Sequence, residues 1–285
     1  MRGIKLAKNI GFCLGVKRAI DIVEGALNRN KGIIYSLGPV IHNPEVIKRL
    51  ERRGLCVVKS LDNLKESSVL ILPSHGTARN ILKTAKKKKL RLIDVTCPYV
   101  SLVQKTCAML HEQGLEVIII GERRHPEIKA LLDLAIGAHT IDRIKDIKQG
   151  WFSYRKIGII SQTTQAQDMF FKIVNKILEK NPLVKEVHIY NTICLDTARR
   201  QDEAGKLAKS VDVLLVVGSR LSANTKRLFS IGRKINKRTY LVENKGTPLS
   251  GILKKADRVG LISGASTPEW LVGDIVKKIS SRKEK

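Results

Sequence analysis

Three times in this chain a short apolar run ends at a cysteine where a helical pattern begins, and this recurrence constrains the fold more than any other feature. Ile4-Lys5-Leu6-Ala7 leads to Gly11-Phe12-Cys13-Leu14-Gly15 and then to a helical run from Val16 to Leu27. Arg91-Leu92-Ile93-Asp94 leads to Val95-Thr96-Cys97-Pro98 and a second helical run, and Val187-His188-Ile189-Tyr190 leads to Asn191-Thr192-Ile193-Cys194-Leu195. The cysteines lie 84 and 97 residues apart, a recurrence that marks a repeated structural unit. A thiol at a helix start feels the partial positive charge of unpaired N–H groups, which favours the thiolate that binds metal or attacks. Lys17 and Arg18 add to that field beside Cys13. Taken alone, such a cysteine reads more readily as a small packing residue at a tight turn than as a functional thiol. Three in equivalent places point to one shared role.

Composition narrows what that role can be. At 285 residues with 43% apolar residues, the chain can bury a sizeable core and is globular. Met1 to Asn9 carries charges and no apolar stretch, so no secretory signal is expected. The longest apolar runs, such as Val213 to Val217, are too short to span a bilayer. Five cysteines, an odd number, argue against a disulfide framework and for a reducing cytoplasm. The net charge of +27 attracts polyanions and acidic proteins. Its basic residues are spread along the chain, however, with few aromatics and no interleaved RNA-binding signature, so nucleic acid is a poor fit. The run Lys86 to Lys89 reads as the solvated end of a helix.

Strand-like runs alternate with helical ones throughout, the pattern of parallel α/β architecture. Each third holds three strand–loop–helix units. The first has the Cys13 unit, Ile33-Ile34-Tyr35-Ser36-Leu37 leading to His42-Asn43-Pro44, and Val69-Leu70-Ile71-Leu72 leading to Ser74-His75-Gly76. The second has the Cys97 unit, Val117 to Ile120 leading to His125-Pro126-Glu127, and Ile157 to Ser161 leading to Gln162-Thr163-Thr164. The third has the Cys194 unit, Val213 to Val217 leading to Ser222-Ala223-Asn224, and Val259 to Ser263 leading to Gly264-Ala265-Ser266. The predicted fold is three small parallel-sheet α/β lobes in pseudo-threefold arrangement: 14–97, 98–193 and 194–285, with the N-terminal strand 1–13 packing near the third. Loops after parallel strands lie at the carboxyl edge of a sheet, where such folds bind ligands. Three such edges facing inward would gather the three cysteines and ring them with the polar loops.

Three thiolates from separate lobes suit zinc or an iron–sulfur cluster, and the close cysteine pairs usual for zinc are absent. An ordinary [4Fe–4S] cluster takes four thiolates, so with three one iron stays open for a substrate oxygen. Cys56, in the strand-like Leu55-Cys56-Val57-Val58, and Cys107, in the helical run Val103 to Leu110, read as buried packing residues. His42, His75 and His125 stand in loops that open helices; each alone is a surface or capping residue, and together they suggest a site. His111, His139 and His188 lack that placement. Ser222, Asn224 and Ser266 are natural N-caps and, with the histidines, donors suited to a diphosphate. Glu127 is the one acid in the ring, fitted to relay protons or to pair with Arg123 or Arg124.

Gly11-Phe12-Cys13-Leu14-Gly15-Val16, His42-Asn43, Ser74-His75-Gly76, Thr96-Cys97-Pro98, His125-Pro126-Glu127, Gln162-Thr163-Thr164, Ile193-Cys194, Ser222-Ala223-Asn224-Thr225 and Gly264-Ala265-Ser266 occur in that order. Together they resemble the 4-hydroxy-3-methylbut-2-enyl diphosphate reductases, the last enzymes of the non-mevalonate isoprenoid pathway, from about residue 4 to residue 275. The resemblance implies a [4Fe–4S] cluster, one per chain, held by Cys13, Cys97 and Cys194 with one open iron. It implies substrate binding by His42, His75, His125, Thr164, Ser222, Ala223, Asn224 and Ser266, with Glu127 and Thr163 catalytic. Ferredoxin or flavodoxin would supply electrons, and the substrate would be an allylic diphosphate. Two positions depart from the family's habit: Ala223 stands where a second serine is common, and Ile128-Lys129-Ala130 follows Glu127 where a glycine near Ala130 is usual. Two rivals share the same residues. A redox-neutral iron–sulfur hydratase or dehydratase would consume no reductant, and a basic RNA-binding protein with a structural metal would tolerate loss of Glu127.

Overall fold

The structure, a computed structural model, describes residues 3–30, 32–153, 155–253 and 258–281. The elements in chain order are β1 (Gly3–Leu6), α1 (Leu14–Arg29), β2 (Ile34–Leu37), α2 (Pro44–Glu51), β3 (Leu55–Val58), β4 (Val69–Leu72), α3 (Arg79–Lys87), β5 (Arg91–Asp94), α4 (Pro98–Glu112), β6 (Glu116–Ile120), α5 (Pro126–Leu134), β7 (His139–Ile141), β8 (Lys156–Ser161), α6 (Gln167–Lys180), β9 (Glu186–Ile189), α7 (Leu195–Ser210), β10 (Val213–Val217), α8 (Ala223–Ile235), β11 (Thr239–Val242), β12 (Arg258–Ser263) and α9 (Glu269–Ser280). The strands form three four-stranded sheets, β1-β12-β10-β11, β3-β2-β4-β5 and β7-β6-β8-β9. Every strand pairing within them is parallel. The α/β class and the threefold repetition of the sheet are thus as the sequence predicts.

All three sheets share one internal order. Numbering the strands of each sheet by the repeat gives second–first–third–fourth, and the fourth strand is always the one that ends at a cysteine: β5 before Cys97, β9 before Cys194 and β1 before Cys13. The Cys13 strand therefore does not open the first third of the chain. It pairs with β12, Gly3 opposite Arg258, and completes the sheet of the last third. A two-layered burial pattern explains why the strands read as short continuous apolar runs. Val213, Leu215 and Val217 of β10 pack with Leu271, Val272 and Ile275 of α9. The alternate residues Leu214 and Val216 pack with Ala204, Leu207 and Leu228 of α7 and α8. Side chains alternate faces along a strand, so a sheet covered on both sides is apolar at every position.

The chain divides into two compact units, Met1–Lys17 with Ile41–Arg49 and Leu195–Lys285, and Arg18–Val40 with Leu50–Cys194. The first holds one sheet and the second holds the other two. The two sheets of the second unit are joined through their helices: the backbone N–H groups of Arg79 and Asn80 at the start of α3 donate to Asp133 Oδ2 on α5, at 2.5 and 3.3 Å. Two expectations need correction. Cys56 is exposed, because β3 is an edge strand, and an edge strand leaves one flank to solvent. In the middle and last sheets the first strand also pairs with a short second strand, β7 and β11, that the apolar pattern does not reveal. Among the described residues, no helix is long and apolar enough to cross a membrane.

Candidate active site

The shared strand order places the site residues. The first and third strands are neighbours at the centre of each sheet, and their connections depart to opposite sides, which opens the crevice where α/β sheets bind ligands. The six loops that follow these central strands are the polar loops of the sequence: His42 after β2, Ser74-His75 after β4, His125-Glu127 after β6, Thr163-Thr164 after β8, Ser222-Asn224 after β10 and Ser266 after β12. A glycine comes directly after each first strand, and its N–H donates to the last residue of the second strand: Gly38 to Val58 O, Gly121 to Ile141 O and Gly218 to Val242 O. At Gly218 the backbone φ is +146°, and a Cβ would meet Thr267 Oγ1 at 2.6 Å, so the turn there requires glycine.

The cysteines are held by one repeated bond. The backbone N–H of Cys13 donates to Ala265 O at 3.1 Å, that of Cys97 to Ser74 O at 2.9 Å and that of Cys194 to Thr163 O at 2.9 Å. Each acceptor lies in the loop after the third strand of the same sheet. None of the three is in a disulfide, and all are partly exposed. Cys97 is the N-cap of α4, with Pro98 at the first helical position. Cys13 stands just before α1, and its Sγ accepts the Val16 N–H at 3.4 Å. Cys107, by contrast, is buried with Sγ donating to Leu131 O, and burial pushes its thiol up to about 12. It is a packing residue, as its helical context suggests.

Within the second unit, the structure joins the residues of the middle sheet into one network. Glu127, on the first turn of α5, is 2% exposed. Its Oε1 accepts the Thr163 N–H at 2.7 Å and its Oε2 accepts the Thr163 hydroxyl at 2.8 Å. Burial is the dominant influence and lifts the Glu127 carboxyl from 4.5 to about 7, with the two Thr163 bonds pulling the other way. Its partner is therefore Thr163 and not Arg123 or Arg124. His125 caps α5, its Nδ1 accepting the Glu127 N–H at 3.2 Å. An accepting Nδ1 carries no proton, so the neutral ring holds its hydrogen on Nε2 as a donor. The His75 and His125 rings meet edge to face with centroids 6.4 Å apart. Thr164 Oγ1 accepts from Gln162 Nε2 at 2.8 Å.

Within the first unit, Ser222 caps α8, its Oγ accepting the Thr225 N–H at 3.3 Å. Ala223 is buried at the first helical position and offers only its backbone. Asn224 is 3% exposed, yet neither its Oδ1 nor its Nδ2 has a hydrogen-bond partner. Buried amides are ordinarily paired, so this one keeps hydrogen-bonding capacity that the described residues do not fill. Ser266 Oγ reaches His42 O at 3.5 Å. Asn43, beside His42, is structural: its Oδ1 accepts the Glu45 and Val46 N–H groups and its Nδ2 donates to Ser266 O at 2.9 Å. Its place before Pro44 is a legible cap signal. Gln162 and Thr225 belong to the polar-loop motifs, whereas Arg200, buried on α7, gives no signal in the sequence. His139 and His188 pair with Glu116 and Glu186 away from these loops.

The LytB protein family profile matches residues 4–280. The chain belongs to the LytB family. A LytB relative from Aquifex aeolicus, named 4-hydroxy-3-methylbut-2-enyl diphosphate reductase, is 35% identical over 283 residues, 98% of this chain and 96% of its own. Among solved structures, the E-1-hydroxy-2-methyl-but-2-enyl-4-diphosphate reductase of Plasmodium falciparum superposes with a TM-score of 0.92 at 32% identity, covering 98% of this chain and 88% of that one. A second, described as (E)-4-hydroxy-3-methyl-but-2-enyl diphosphate reductase and the terminal enzyme of the non-mevalonate pathway, gives 0.70 at 35% identity over 99% of this chain and all of that one.

The donor set of this LytB chain suits an iron–sulfur cluster better than a single ion. Among the described residues, no three His, Cys, Asp or Glu side chains stand together as a single-ion site. A cluster does not require that, since each thiolate binds its own iron at a separate corner. Three cysteines outside any disulfide, each at a helix start, supply the sulfur donors that such a group takes.

Proposed function

We propose that this chain reduces (E)-4-hydroxy-3-methylbut-2-enyl diphosphate to isopentenyl and dimethylallyl diphosphate, with release of the allylic hydroxyl as water. The observation that carries this reading is the likeness, over nearly the whole chain, to LytB relatives and solved structures bearing the reductase name. It favours the reductase over a redox-neutral hydratase and over an RNA-binding protein.

In this reading Cys13, Cys97 and Cys194 hold a [4Fe–4S] cluster. Bound there, the cluster supplies electron transfer and an open Lewis-acid iron. The protein supplies the rest. Asn224, with its unpaired buried amide, and the N–H groups opening α8 take the diphosphate, together with Ser222, Ala223 through its backbone, Ser266 and His42. His75 and His125 also bind the substrate in this reading, His125 with its donor at Nε2. Glu127 is the acid. Its carboxyl, pushed up to about 7, still holds a proton near neutral pH, which is where a general acid works best. Thr163 touches both carboxyl oxygens. When Glu127 is protonated, its O–H donates to Thr163 Oγ1, and the threonine hydroxyl passes its own hydrogen on to the leaving hydroxyl. Thr164 lies beside it. Two electrons and two protons balance the step, one proton leaving in water and one remaining on carbon. The electrons come from ferredoxin or flavodoxin, acidic carriers matched to a chain of net charge +27.

Anaerobic purification followed by iron, sulfide and turnover analysis tests the reading. Iron and sulfide near four each per chain, with reductant-dependent formation of both isoprenoid diphosphates, is the expected result. Conversion without reductant would favour the hydratase.

A further inference from the structure

The three cysteine loops are not held alike. All three follow four-residue edge strands, but β1 is the most exposed of them, with three exposed residues against two in β5 and one in β9. The first unit compensates with a buried arginine. Arg200, on α7, is 2% exposed. Its Nε donates to Asp196 Oδ2 at 2.7 Å, its Nη1 to Asn9 O at 2.8 Å and Ser263 O at 3.0 Å, and its Nη2 to Gly11 O at 3.1 Å. One turn along, Glu203 accepts the N–H groups of Lys8 and Asn9. Gly11 N–H completes the lock by donating to Ser263 Oγ at 3.0 Å. At the same offset after Cys13 and Cys97 stand Ala19 and Val103, buried and apolar, so the clamp exists at one loop of the three.

We propose that Arg200 is a positioning residue that fixes the Cys13 loop so that Cys13 can serve as a ligand. The proposal rests on the reading of Cys13 as a cluster ligand. The planar guanidinium fork reaches four oxygens from three separate segments, and lysine, a point charge with one donor atom, cannot. Without the fork, the carbonyls of Asn9 and Gly11 lose their buried partner, and the segment that carries Cys13 is released.

The test uses anaerobically purified wild type, Arg200→Lys, Arg200→Met and, as a stability control, Val242→Ala, which opens the same unit's core on β11, at the opposite edge of the sheet from β1. Two quantities are read: the rate of cluster loss to an iron chelator and hydrogen exchange of the 8–13 segment. Supporting groups around metal ligands are worth about 10- to 100-fold in metal retention, so Arg200→Lys should lose its cluster faster by about that factor. Exchange should rise over 8–13 while β12 stays protected. Val242→Ala should lower the melting temperature yet keep both readouts near wild type. Where Arg200→Met fails to fold, Arg200→Lys carries the test. Wild-type retention and exchange in Arg200→Lys would overturn the proposal, as would equal losses in Val242→Ala. A wild type without iron and sulfide would remove the ligand reading itself, and the proposal with it.

Discussion

Replacing Glu127 with glutamine should make the protein more stable and less active, and the gain in stability should depend on pH. Glutamine keeps the shape of the side chain. Its Oε1 can accept the Thr163 N–H, and its Nε2 can donate to Thr163 Oγ1, so no buried group is stranded. What disappears is ionisation in a buried place. A carboxyl raised from 4.5 to about 7 contributes stability that is whole below its unfolded value and is lost as pH climbs through the folded one. At 1.36 kcal/mol per pKa unit, that rise is worth about 3 kcal/mol, lost by the wild type between roughly pH 4.5 and 7.5 and not lost by Glu127→Gln. A chain of this size moves its melting temperature by roughly 2 °C per kcal/mol. The gap between variant and wild type should therefore widen by on the order of 6 °C from pH 5 to pH 8.5, and stay level beyond. Anaerobic thermal melts of both proteins across that range measure it. On the same preparations turnover should fall by about two to four orders of magnitude, the usual worth of a general acid, with iron content and diphosphate affinity intact. A gap that does not change with pH would show that Glu127 does not titrate as its burial requires. Near-normal turnover would show that the proton comes from another group.

Other expectations follow from the same geometry. Cys13→Ser, Cys97→Ser and Cys194→Ser should each abolish full iron and sulfide loading, whereas Cys56→Ser, at an exposed edge, and Cys107→Ser, in the core, should retain it. Asn224→Ala should raise KM by about tenfold or more, the worth of a hydrogen bond to a charged group, while the melting temperature holds or rises, because the amide it removes is buried and unpaired. Turnover of the wild type should fall by about tenfold per pH unit above 7 as Glu127 loses its proton. With flavodoxin or ferredoxin as donor, turnover should drop as salt passes about 0.15 M, where the Debye length is about 8 Å; with dithionite it should not, and equal sensitivity would remove donor docking as the cause.

Much of this was legible in the sequence because the central strands are buried on both faces and the binding loops follow them directly. A run such as Val213 to Val217 announces itself, and Ser222-Ala223-Asn224 stands where the chain must turn into a helix. The edge strands were harder to read. β7 and β11 are short and carry His139, Thr140 and Thr239, so their composition does not set them apart from loops. Cys56 looked like core because its neighbours are apolar, yet only pairing shows that β3 has an open flank. The sequence places the N-terminal strand near the third lobe, but its register there, Gly3 opposite Arg258, is set only by tertiary pairing. The same holds for Glu127 and Thr163, and for Arg200, whose four acceptors lie up to 191 residues away in sequence. Spacing reveals which residues share a repeat. It does not reveal which carboxylate is dry, or which arginine is buried among carbonyls.

The pairing of β1 with β12 also sets the order of events in biosynthesis. β1 leaves the ribosome long before its partner, because Gly3 to Leu6 pair with Arg258 to Leu261. At about 5–20 residues per second, the N-terminal segment waits roughly 13 to 50 seconds with Cys13 unanchored. The sheet strands ending at Cys97 and Cys194 find their neighbours within the stretch just translated. A nascent chain halted before Arg258 thus has two of its three cysteine strands paired and the oldest one adrift, which makes completion of the last sheet the step that commits the first cysteine to its place.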